Sequence, residues 1–534
     1  MYEGVGNQCS VKRRVVVMAA AAVTLVALVL CVAVGVVPSN GIHRNIVVRH
    51  SARKSRSSHH FGAAACEGAA DPQLCVSTVA GLPGWPSAIP SELVNVAVKA
   101  SIGLVQRTSA TAVRLSGAAS AGLEQSALQD CVELLDDTVE QLTEALEAVV
   151  RLNFEGASDV SSDVRTLLSA GLTNQDTCIE GISSTNGVVR SRLENSVNEI
   201  SNLVSTSLAM AKRISEISDS MDDFKSPSHN RRLMSNRIDD FPEWLSVTDR
   251  RLLQASTSVV QVDAWVALDG TGNYTSITAA VNAAPEKNAR RHVIRIKAGV
   301  YHENFEVKKN KINLVFIGDG MDSTVITGNK SVYDGTTTFR SATFAVKGAG
   351  FIARDIGFEN TAGPYRHQAV ALRVDSDQSV FYRCGMKGYQ DTLYAHSLRQ
   401  FYRECKIYGT VDFIFGNAAA VFQSCVMMAR KPLVNQSITV TAQSRKDPNQ
   451  NTGFSVHDCN ITAAPDFVPV KKSVRTYLGR PWKEFSRTVF MQSFLDDIVQ
   501  PQGWAQWNTS NFALDTLYFG EFMNYGSGAG LVGR

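Results

Sequence analysis

Apolar residues in the first part of the chain recur at alternating spacings of four and three, the periodicity of one face of an α-helix. One such stripe runs through residues 128–149 and a second through residues 193–211. Residues 91–115 and 163–178 are also helical in character. Because four amphipathic helices bury their apolar faces most economically against one another, the pattern predicts an all-α four-helix bundle over residues 61–221.

Beyond residue 257 the pattern changes to short β-branched and aromatic runs that Gly, Asn and Asp separate, which is typical of strands and turns. Such runs occupy residues 293–296, 312–317, 343–346 and 438–441. No helical segment alternates with them, so a solenoid of short strands is favoured over a βαβ sheet. We therefore predict an all-β, right-handed parallel β-helix over residues 258–534, with a short helix at 277–284 covering its first coil.

A repeat of about 20 residues runs through the middle of this second part. Two copies begin with Phe-Tyr-Arg at residues 381 and 401, continue to Cys384 and Cys405, and end in Asp391 and Asp412, which are 21 residues apart. A third, weaker copy ends at Cys425. If each copy is one coil, equivalent residues on neighbouring coils lie about 4.8 Å apart. The two aspartates should then be stacked on one face.

A stacked pair of carboxyl groups suits nucleophilic and acid–base chemistry. Two carboxyl groups at so short a distance repel each other when both are ionised, so the pKa of one of them rises. The pair then offers a proton donor beside an anionic nucleophile. The alternative is that each aspartate only caps the turn after its strand.

Four longer motifs in this part carry a family resemblance. They are QAVALR at residues 368–373, YQDTLY at 389–394, GTVDFIFGNA at 409–418 and LGRPW at 478–482. Together they resemble a plant pectin methylesterase, and the resemblance extends from about residue 260 to the C-terminus. It implies hydrolysis of the methyl ester on galacturonate units of pectin, with release of methanol and without a metal or another cofactor.

For this reaction Asp412 is the candidate nucleophile, which forms an acyl anhydride. Asp391 is the candidate acid that protonates methanol and then activates water as a base. The side-chain amides of Gln390 and Gln368 suit the oxyanion. Arg480 is expected to hold Asp412 ionised through a forked hydrogen bond and to attract uronate.

Aromatic and hydroxyl side chains supply candidate sugar contacts. Trp482 offers an aromatic face to a sugar ring, and Tyr389, Phe413, Trp504 and Trp507 are candidates to extend that face. Thr338 matches a substrate-contacting threonine of the family, with an inward-facing ladder hydroxyl as the alternative.

Other functions fit less well. The sequence has no Gly-x-Ser-x-Gly motif of a serine esterase, and its histidines lack the spacing of metal ligands. The main enzymatic alternative is another pectin-acting β-helix, a polygalacturonase or a pectate lyase. The second alternative is an inactive pectin-binding or inhibitor protein, because relatives usually continue for several dozen more residues and the β-helix is therefore expected to be truncated.

The helical part has its own resemblance. DPQLC at residues 71–75, QDC at 129–131 and LTNQDTC at 172–178 resemble the pectin methylesterase inhibitor family. That resemblance implies an autoinhibitory pro-region that acts in cis, with disulfides Cys66–Cys75 and Cys131–Cys178; a plain helical spacer is the alternative. The enzyme resemblance favours a further disulfide, Cys405–Cys425.

The N-terminal residues indicate a secreted protein. Lys12, Arg13 and Arg14 precede an uncharged stretch at 15–37 that is long enough to cross a bilayer. Positive residues before the stretch place residues 1–14 in the cytoplasm and the rest outside. We predict a signal anchor, with a cleaved signal peptide as the alternative, then a basic linker at 38–60. The predicted destination is the cell wall.

Two further features agree with the secretory route. The 10 cysteines fit an oxidising compartment. Five asparagines stand in acceptor sequons for N-glycosylation: Asn273, Asn329, Asn435, Asn460 and Asn508.

Residues 222–257 form a polar linker with two dibasic pairs, Arg231-Arg232 and Arg250-Arg251. Paired arginines in an exposed linker are good substrates for processing proteases of the secretory pathway. We therefore predict that a subtilisin-like protease separates the bundle from the enzyme.

Composition adds one observation about partners. The hydrophobic content of 44% and the charged content of 19% are ordinary for a globular protein. The net charge of +3 is uneven, since residues 254–534 hold 30 Lys and Arg against 23 Asp and Glu. A basic enzyme part suits an anionic polymer, here pectin and not nucleic acid, although a solvated basic surface is the simpler alternative.

Overall fold

The first half of the protein is helical because its apolar stripes pack against one another. The computed structural model describes residues 66, 68–81, 90–119, 122–152, 157–183, 185, 187–223, 241–256, 260–508 and 510–530. Its N-terminal helices are α1 (Pro72–Ala80), α2 (Pro90–Ala118), α3 (Leu123–Leu152), α4 (Ala157–Ser183) and α5 (Gly187–Asp223). The long helices α2–α5 pack side by side, and the apolar stripe of α3, with Leu128, Leu135 and Leu142, is buried among them. This confirms the predicted four-helix bundle.

Two disulfides tie the bundle together, Cys66–Cys75 and Cys131–Cys178. The first holds the segment before α1 against that helix, which Asp71 caps by accepting a hydrogen bond from the Leu74 amide. The second joins α3 to α4. Both pairings are those that the inhibitor resemblance implies.

The second half is a parallel β-helix of short strands, as predicted. Two helices precede or cover its first coils, α6 (Val247–Gln254) and α7 (Ile277–Ala283). The strands, in chain order, are β1 (Ala264–Val266), β2 (His292–Ile296), β3 (Gly299–His302), β4 (Phe305–Val307), β5 (Leu314–Ile317), β6 (Thr324–Gly328), β7 (Phe344–Val346), β8 (Ile352–Arg354), β9 (Gly357–Asn360), β10 (Leu372–Val374), β11 (Ser379–Tyr382), β12 (Gly385–Lys387), β13 (Leu393–Ala395), β14 (Arg399–Arg403), β15 (Lys406–Gly409), β16 (Ile414–Gly416), β17 (Ala419–Gln423), β18 (Val426–Ala429), β19 (Ile438–Gln443), β20 (Gly453–His457), β21 (Asn460–Ala463), β22 (Thr476–Pro481), β23 (Arg487–Met491), β24 (Phe494–Leu495) and β25 (Tyr518–Phe522).

Three parallel sheets form the walls of the β-helix within the described residues. Sheet A runs β1-β2-β5-β8-β11-β14-β17-β20-β23-β25, sheet B runs β3-β6-β9-β12-β15-β18-β21-β24, and sheet C runs β4-β7-β10-β13-β16-β19-β22. The coils from β2 to β22 contribute one strand to each wall, and the first and last coils contribute to fewer. Side chains that face inward therefore stack on their equivalents one coil away. The interior is consequently filled by files of apolar side chains, such as Phe381, Tyr402 and Phe422, whose rings stack at centroid distances of 5.0 and 4.7 Å.

The register of these coils differs by one residue from the alignment of the two Phe-Tyr-Arg segments. Phe381 pairs with Tyr402, not with Phe401, because Glu404 adds a residue before Cys405. In the observed register Glu404 is equivalent to Arg383, and both take the left-handed conformation, with φ 54° and 51°. The register therefore follows the 21-residue spacing of the cysteines and aspartates.

Four cysteines form a file inside the β-helix, and this corrects one prediction. Cys384, Cys405, Cys425 and Cys459 occupy equivalent positions on successive coils, and all are buried free thiols. The predicted Cys405–Cys425 disulfide is therefore wrong for this structure. The coil spacing would allow the bond, but each thiol donates instead to a backbone carbonyl of the preceding coil, Cys405 to Phe381 at 3.3 Å and Cys425 to Tyr402 at 3.5 Å.

The end of the linker packs on the outer face of sheet A. Phe241, Leu245 and Leu253 are buried against apolar residues of that sheet, including Val315 and Phe401. Asp249 of α6 accepts hydrogen bonds from both branches of the Arg291 guanidinium at 2.8 and 2.9 Å. Residues 241–256 thus belong structurally to the β-helix.

Several predictions concern residues outside the described part of the chain. These are the cytoplasmic tail at 1–14, the signal anchor at 15–37, the basic linker at 38–60 and the dibasic pair Arg231-Arg232. Among the helices that the structure describes, none combines the length and the apolar character needed to cross a bilayer.

Candidate active site

Asp391 and Asp412 lie on neighbouring coils at the same edge of sheet C. Asp391 comes two residues before β13 and Asp412 two residues before β16, and these strands pair in register. The Asp391 amide donates to the Val411 carbonyl at 3.0 Å, which fixes the two backbones side by side. Both residues are buried, and both take the left-handed conformation, with φ 61° and 49°. Aspartate adopts the left-handed conformation more readily than most residues do. Both aspartates line the cavity outside the coils.

The Asp412 carboxylate accepts three hydrogen bonds, two from Arg480 and one from Thr439, and these two residues lie on the coils that follow. The Arg480 guanidinium donates from Nε to Oδ1 at 2.9 Å and from Nη2 to Oδ2 at 2.6 Å, the forked geometry that sequence analysis expects. The Thr439 hydroxyl donates to Asp412 Oδ1 at 2.5 Å and accepts from the Asp412 amide at 2.9 Å. Bidentate pairing with a guanidinium favours the ionised carboxylate and fixes its orientation.

Thr439 is a site residue that sequence reasoning missed. The sequence pattern predicts only a strand there, because Thr439 stands 27 residues after Asp412 and so falls outside the 21-residue repeat. The register of β16 with β19 compensates for the longer loop and places Thr439 beside the carboxylate. The available signal was the alternation of hydroxyls and apolar residues in Ile438-Thr439-Val440-Thr441.

Asp391 has a different electrostatic environment from Asp412. Burial raises the pKa of Asp391 well above its ordinary value, and the neighbouring charge of Asp412 raises it further, whereas Arg480 opposes the rise. Asp391 is therefore the member of the pair that holds a proton, while Asp412 has the guanidinium. This asymmetry is the one that a proton donor beside an anionic nucleophile requires.

A cavity of about 520 Å³ opens over the two carboxyl groups. The seven side chains predicted from the sequence all line it: Thr338, Gln368, Gln390, Asp391, Asp412, Arg480 and Trp482. Gln368 and Gln390 line this cavity together with the two aspartates, so one reacting carbonyl group in the cavity is within reach of both amides and both carboxyl groups.

An aromatic surface continues from the carboxyl groups along sheet C. The rings of Tyr394 and Phe415 stack at 4.2 Å, and the Trp482 ring is centred 5.8 Å from that of Phe415. Trp507 lies over the Arg480 guanidinium at 4.4 Å and lines the cavity.

The other aromatic candidates lie elsewhere. Phe413 is buried in the core of the β-helix, and Trp504 stacks on Phe519 at 4.4 Å. Tyr389 accepts a hydrogen bond from Arg430 at 2.7 Å and does not line the cavity. Trp504 lines a neighbouring cavity of about 750 Å³ that shares Gln390 and Arg480 with the first.

The helical bundle closes the cavity from the opposite side. Leu123, Asp130, Thr177, Glu180 and Gly181 of the bundle line it together with the β-helix residues. Glu180 forms an ion pair with Lys483 at 2.5 Å, next to Trp482.

Burial against the β-helix changes the acidity of two bundle carboxyl groups. It raises the pKa of Asp130 to about 6, with Arg340 opposing the rise. It raises the pKa of Glu180 to about 7, with the charge of Asp176 adding to the rise. Both groups face the catalytic cavity.

Two sets of predicted modification sites can also be located. The five sequon asparagines are all exposed on the β-helix. Arg250 and Arg251 lie inside α6, where the Arg250 guanidinium donates to the carbonyls of Leu245 and Pro242. Among the described residues, no group of His, Cys, Asp and Glu side chains has the arrangement of a metal site.

Comparisons with known proteins give consistent matches. The family model described as pectinesterase matches residues 263–534, and the model described as plant invertase/pectin methylesterase inhibitor matches residues 61–210. The chain is 51% identical over 440 residues to pectinesterase/pectinesterase inhibitor PPE8B of Prunus persica, covering 82% of this chain and 80% of that one. It is 44% identical to pectinesterase/pectinesterase inhibitor U1 of Solanum lycopersicum, covering 98% and 91%.

One solved structure is similar in both sequence and fold. It is pectin methylesterase from carrot, with 58% sequence identity and a TM-score of 0.51, and the match covers 52% of this chain and 87% of that chain.

Proposed function

This chain belongs to the pectinesterase family, and from that premise we propose that its β-helix hydrolyses methyl esters of galacturonate in pectin, releasing methanol and leaving a carboxylate. The observation that supports this reaction best is the stacked pair of Asp391 and Asp412, with Arg480 on one member only. The inactive alternative is not favoured, since the relatives that match over most of the chain are named pectinesterases.

Asp412 is the nucleophile in this proposal. A carboxylate oxygen of Asp412 attacks the ester carbonyl carbon, and the negative charge that develops on the carbonyl oxygen is stabilised by the side-chain amides of Gln390 and Gln368. When the C–O bond to the methoxy group breaks, Asp391 gives its proton to the departing oxygen, and methanol leaves. The acid part of the substrate is then joined to Asp412 as a mixed anhydride.

Asp391 becomes the base in the second step. It is now ionised and takes a proton from a water molecule, whose oxygen attacks the anhydride. The anhydride C–O bond to Asp412 breaks, which gives free Asp412 carboxylate, protonated Asp391 and galacturonic acid, and the acid releases its proton to solvent to become a carboxylate. The site thus returns to its starting state. The raised pKa of Asp391 supports both roles, because a group with an ordinary aspartate pKa would hold no proton to donate near neutral pH.

The remaining predicted residues bind and orient the substrate. Arg480 keeps Asp412 ionised while it attracts a uronate, and Trp482, with Tyr394 and Phe415, provides an aromatic face for sugar rings. Thr338 lines the same cavity and supplies a hydroxyl to the polysaccharide.

The N-terminal bundle is proposed to act as an inhibitory pro-region in cis. It lines the wall of the cavity that faces the aspartates, so a polysaccharide cannot lie across the site while the bundle is docked. Release by a subtilisin-like protease at Arg231-Arg232 or Arg250-Arg251 would expose the site.

We further propose delivery through the secretory pathway to the cell wall, with residues 15–37 as a signal anchor before processing. The uncharged stretch, the two disulfides of the bundle and the exposed sequon asparagines support this route.

Methanol release from highly esterified pectin tests the function. The β-helix has a core separate from that of the bundle, so the segment 241–534 is expected to fold alone. We expect this segment to release methanol without shortening the polymer and without forming an unsaturated product, and the uncut chain to be much slower. Shortened chains would indicate a glycosidase, and absorbance from unsaturated ends would indicate a lyase; either result without methanol would refute the proposal.

A further inference from the structure

Helix α3 presents a row of carboxyl groups to the β-helix. Asp130, Glu133, Asp137 and Glu140 follow one another at spacings of three and four residues, so they share one face of the helix. At a rise of about 1.5 Å per residue, the row is about 15 Å long. Its first member, Asp130, lines the catalytic cavity, and the row leads away from there.

Three basic side chains of the β-helix pair with this row at 3.0 Å or less. Arg340 pairs with Asp130 at 2.5 Å and with Glu133 at 2.9 Å. Lys347 pairs with Glu133 at 2.6 Å and also contacts Asp137. Lys309 pairs with Glu140 at 3.0 Å and with Asp136 of the same helix at 2.8 Å.

Arg340, Lys347 and Lys309 differ from other basic residues of the β-helix in which part of the chain supplies their acidic partners. Arg373 pairs with Glu306 at 2.6 Å and with Asp375 at 2.8 Å inside the β-helix and has Glu133 of α3 only as a more distant partner, at 3.7 Å. Arg383 pairs with Asp355, also inside the β-helix. Among the described residues, every carboxylate in an ion pair with Arg340, Lys347 or Lys309 belongs to α3. Within the part of the chain that the structure describes, departure of the bundle leaves these three charges no carboxylate at ion-pair distance, and the more distant charge of Glu306 on β4 still acts on Lys347.

The three cations lie on a diagonal across sheet C that begins near the catalytic site. The aspartates and Arg340 precede their strands of this sheet, whereas Lys347 and Lys309 follow β7 and β4 at its other edge. Lys347 follows β7, and its amide donates to Val307 at the end of β4, two residues before Lys309, so these lysines lie on adjacent coils. Strands β7 and β16 are three steps apart in sheet C, or about 14 Å at the spacing of paired strands. Arg340 adjoins Thr338 and Phe339, which line the catalytic cavity, and it pairs with Asp130, which lines the cavity too, so Arg340 is the member of the three at the cavity end.

We propose that Arg340, Lys347 and Lys309 form a subsite for unesterified galacturonate units of the polymer, and that α3 occupies this subsite by presenting carboxylates where the substrate presents its own. The inference rests on the proposed function, since that function supplies a polymer with one carboxyl group per sugar. A row of three cations recognises the free acid and not the neutral methyl ester.

The position of the subsite has a consequence for substrate choice. A stretch of polymer that is already de-esterified would lie over the cations while the next esterified unit lies over Asp391 and Asp412. The enzyme would then favour esters beside free acids, and long acidic products would compete with substrate.

Binding of unesterified hexagalacturonate to the segment 241–534 tests the subsite by calorimetric titration at low ionic strength and pH 6. The double variant Lys309→Gln/Lys347→Gln should bind about tenfold more weakly, and its affinity should depend less on salt. Lys309→Arg/Lys347→Arg should bind like the parent, because it keeps the charge. The matched control Lys387→Gln/Lys406→Gln removes two lysines from neighbouring coils of sheet B and should bind like the parent.

Unchanged affinity in the glutamine variant, failure of the arginine variant to bind, or an equal loss in the control would overturn the proposal. Hexagalacturonate should also bind the uncut chain far more weakly than the segment, and equal affinities would contradict occupation by α3. Methanol release is measured separately. Methanol release without an effect of the lysine substitutions on binding would support the proposed function and refute the subsite. The expected binding pattern without methanol release would support the subsite and refute the function.

Discussion

At the scale of single residues, the chemistry depends on giving two identical side chains different states. Asp391 and Asp412 have the same backbone conformation on adjacent coils, but only Asp412 is held by Arg480 and Thr439. Sequence motifs could identify the two aspartates, the arginine and the glutamines. They could not identify Thr439, because a loop of irregular length separates it from Asp412 in the chain and only the strand register brings them together.

Substitution of Thr439 by valine tests its part in holding the nucleophile. The change keeps the shape and removes a hydrogen bond to a charged group, which is worth about 1.5–3 kcal/mol. We expect kcat for methanol release to fall at least about tenfold, with a smaller change in KM.

The matched control is Thr462→Val. Thr462 donates to Asp496 at 3.1 Å on another wall of the β-helix, so it removes the same kind of bond away from the cavity. A Thr439→Val enzyme as active as this control would show that the hydroxyl has no role in the site.

At the scale of elements, hydrophobic patterns predicted which segments are helices or strands, and the structure confirms the four long helices and the coils. The patterns could not fix the register, because the Phe-Tyr-Arg segments align equally well one residue away from the true pairing. They also could not show that residues 241–256 pack on sheet A, since a polar segment with a few apolar residues looks like a linker. Whether the stacked cysteines form a disulfide likewise depends on the orientation of their side chains, which the sequence pattern does not show.

Helix α6 should protect the dibasic pair that it contains. A protease binds its substrate in an extended form, whereas Arg250 and Arg251 are helical and the next carbonyl, that of Leu252, accepts from Arg354 at 2.7 Å. Leu253→Ala removes a buried anchor, which costs about 2–5 kcal/mol locally. We expect cleavage after Arg251 by a dibasic-specific protease to become at least about tenfold faster in this variant, as followed by mass spectrometry.

Val247→Ala is the control for that measurement, since Val247 lies in the same helix and is 62% exposed. It should be cleaved at the parental rate. If Leu253→Ala is cleaved no faster than Val247→Ala, α6 does not protect the pair.

At the scale of the whole molecule, the bundle and the β-helix meet through apolar residues such as Phe339 and Tyr394 and through opposite charges. The sequence shows these charges only as a difference in net charge between the two parts. The unequal distribution of basic residues suggested an anionic partner for the β-helix. It could not show that the nearest such partner is α3 of the same chain, because the match between Asp130, Glu133 and the opposite cations exists only after both parts have folded.

Docking of the bundle should weaken as the pH rises from 5 to 7.5. Asp130 and Glu180 have raised pKa values of about 6 and about 7 when docked, so the docked state binds more protons than the free bundle, whose carboxyl groups face water. The contribution of these two protonated groups to docking is complete below the ordinary carboxyl pKa. It is lost as the pH rises through the pKa values of the docked state, about 6 and about 7. Glu133 acts in the opposite direction, because pairing with Lys347 lowers its pKa to about 2 against the cost of burial, but its effect appears only below about pH 4.5.

The measurement uses the chain cut at an engineered protease site within residues 224–240, with both parts retained. We expect methanol release to increase at least about tenfold between pH 5 and pH 7.5, relative to the segment 241–534 at each pH. Asp130→Asn/Glu180→Gln should remove most of this dependence. Inhibition that strengthens with rising pH, or is unchanged in the double variant, would contradict the assignment.

The most direct test of the central assignment is methanol release from esterified pectin by the segment 241–534 with Asp412→Asn. Asp458→Asn serves as the control, because Asp458 has the same left-handed conformation with φ 52° on another coil, away from the cavity. We expect the Asp412 variant to lose activity by at least about a thousandfold and the control to keep it. Equal rates for the Asp412 variant and the control would show that another group attacks the ester.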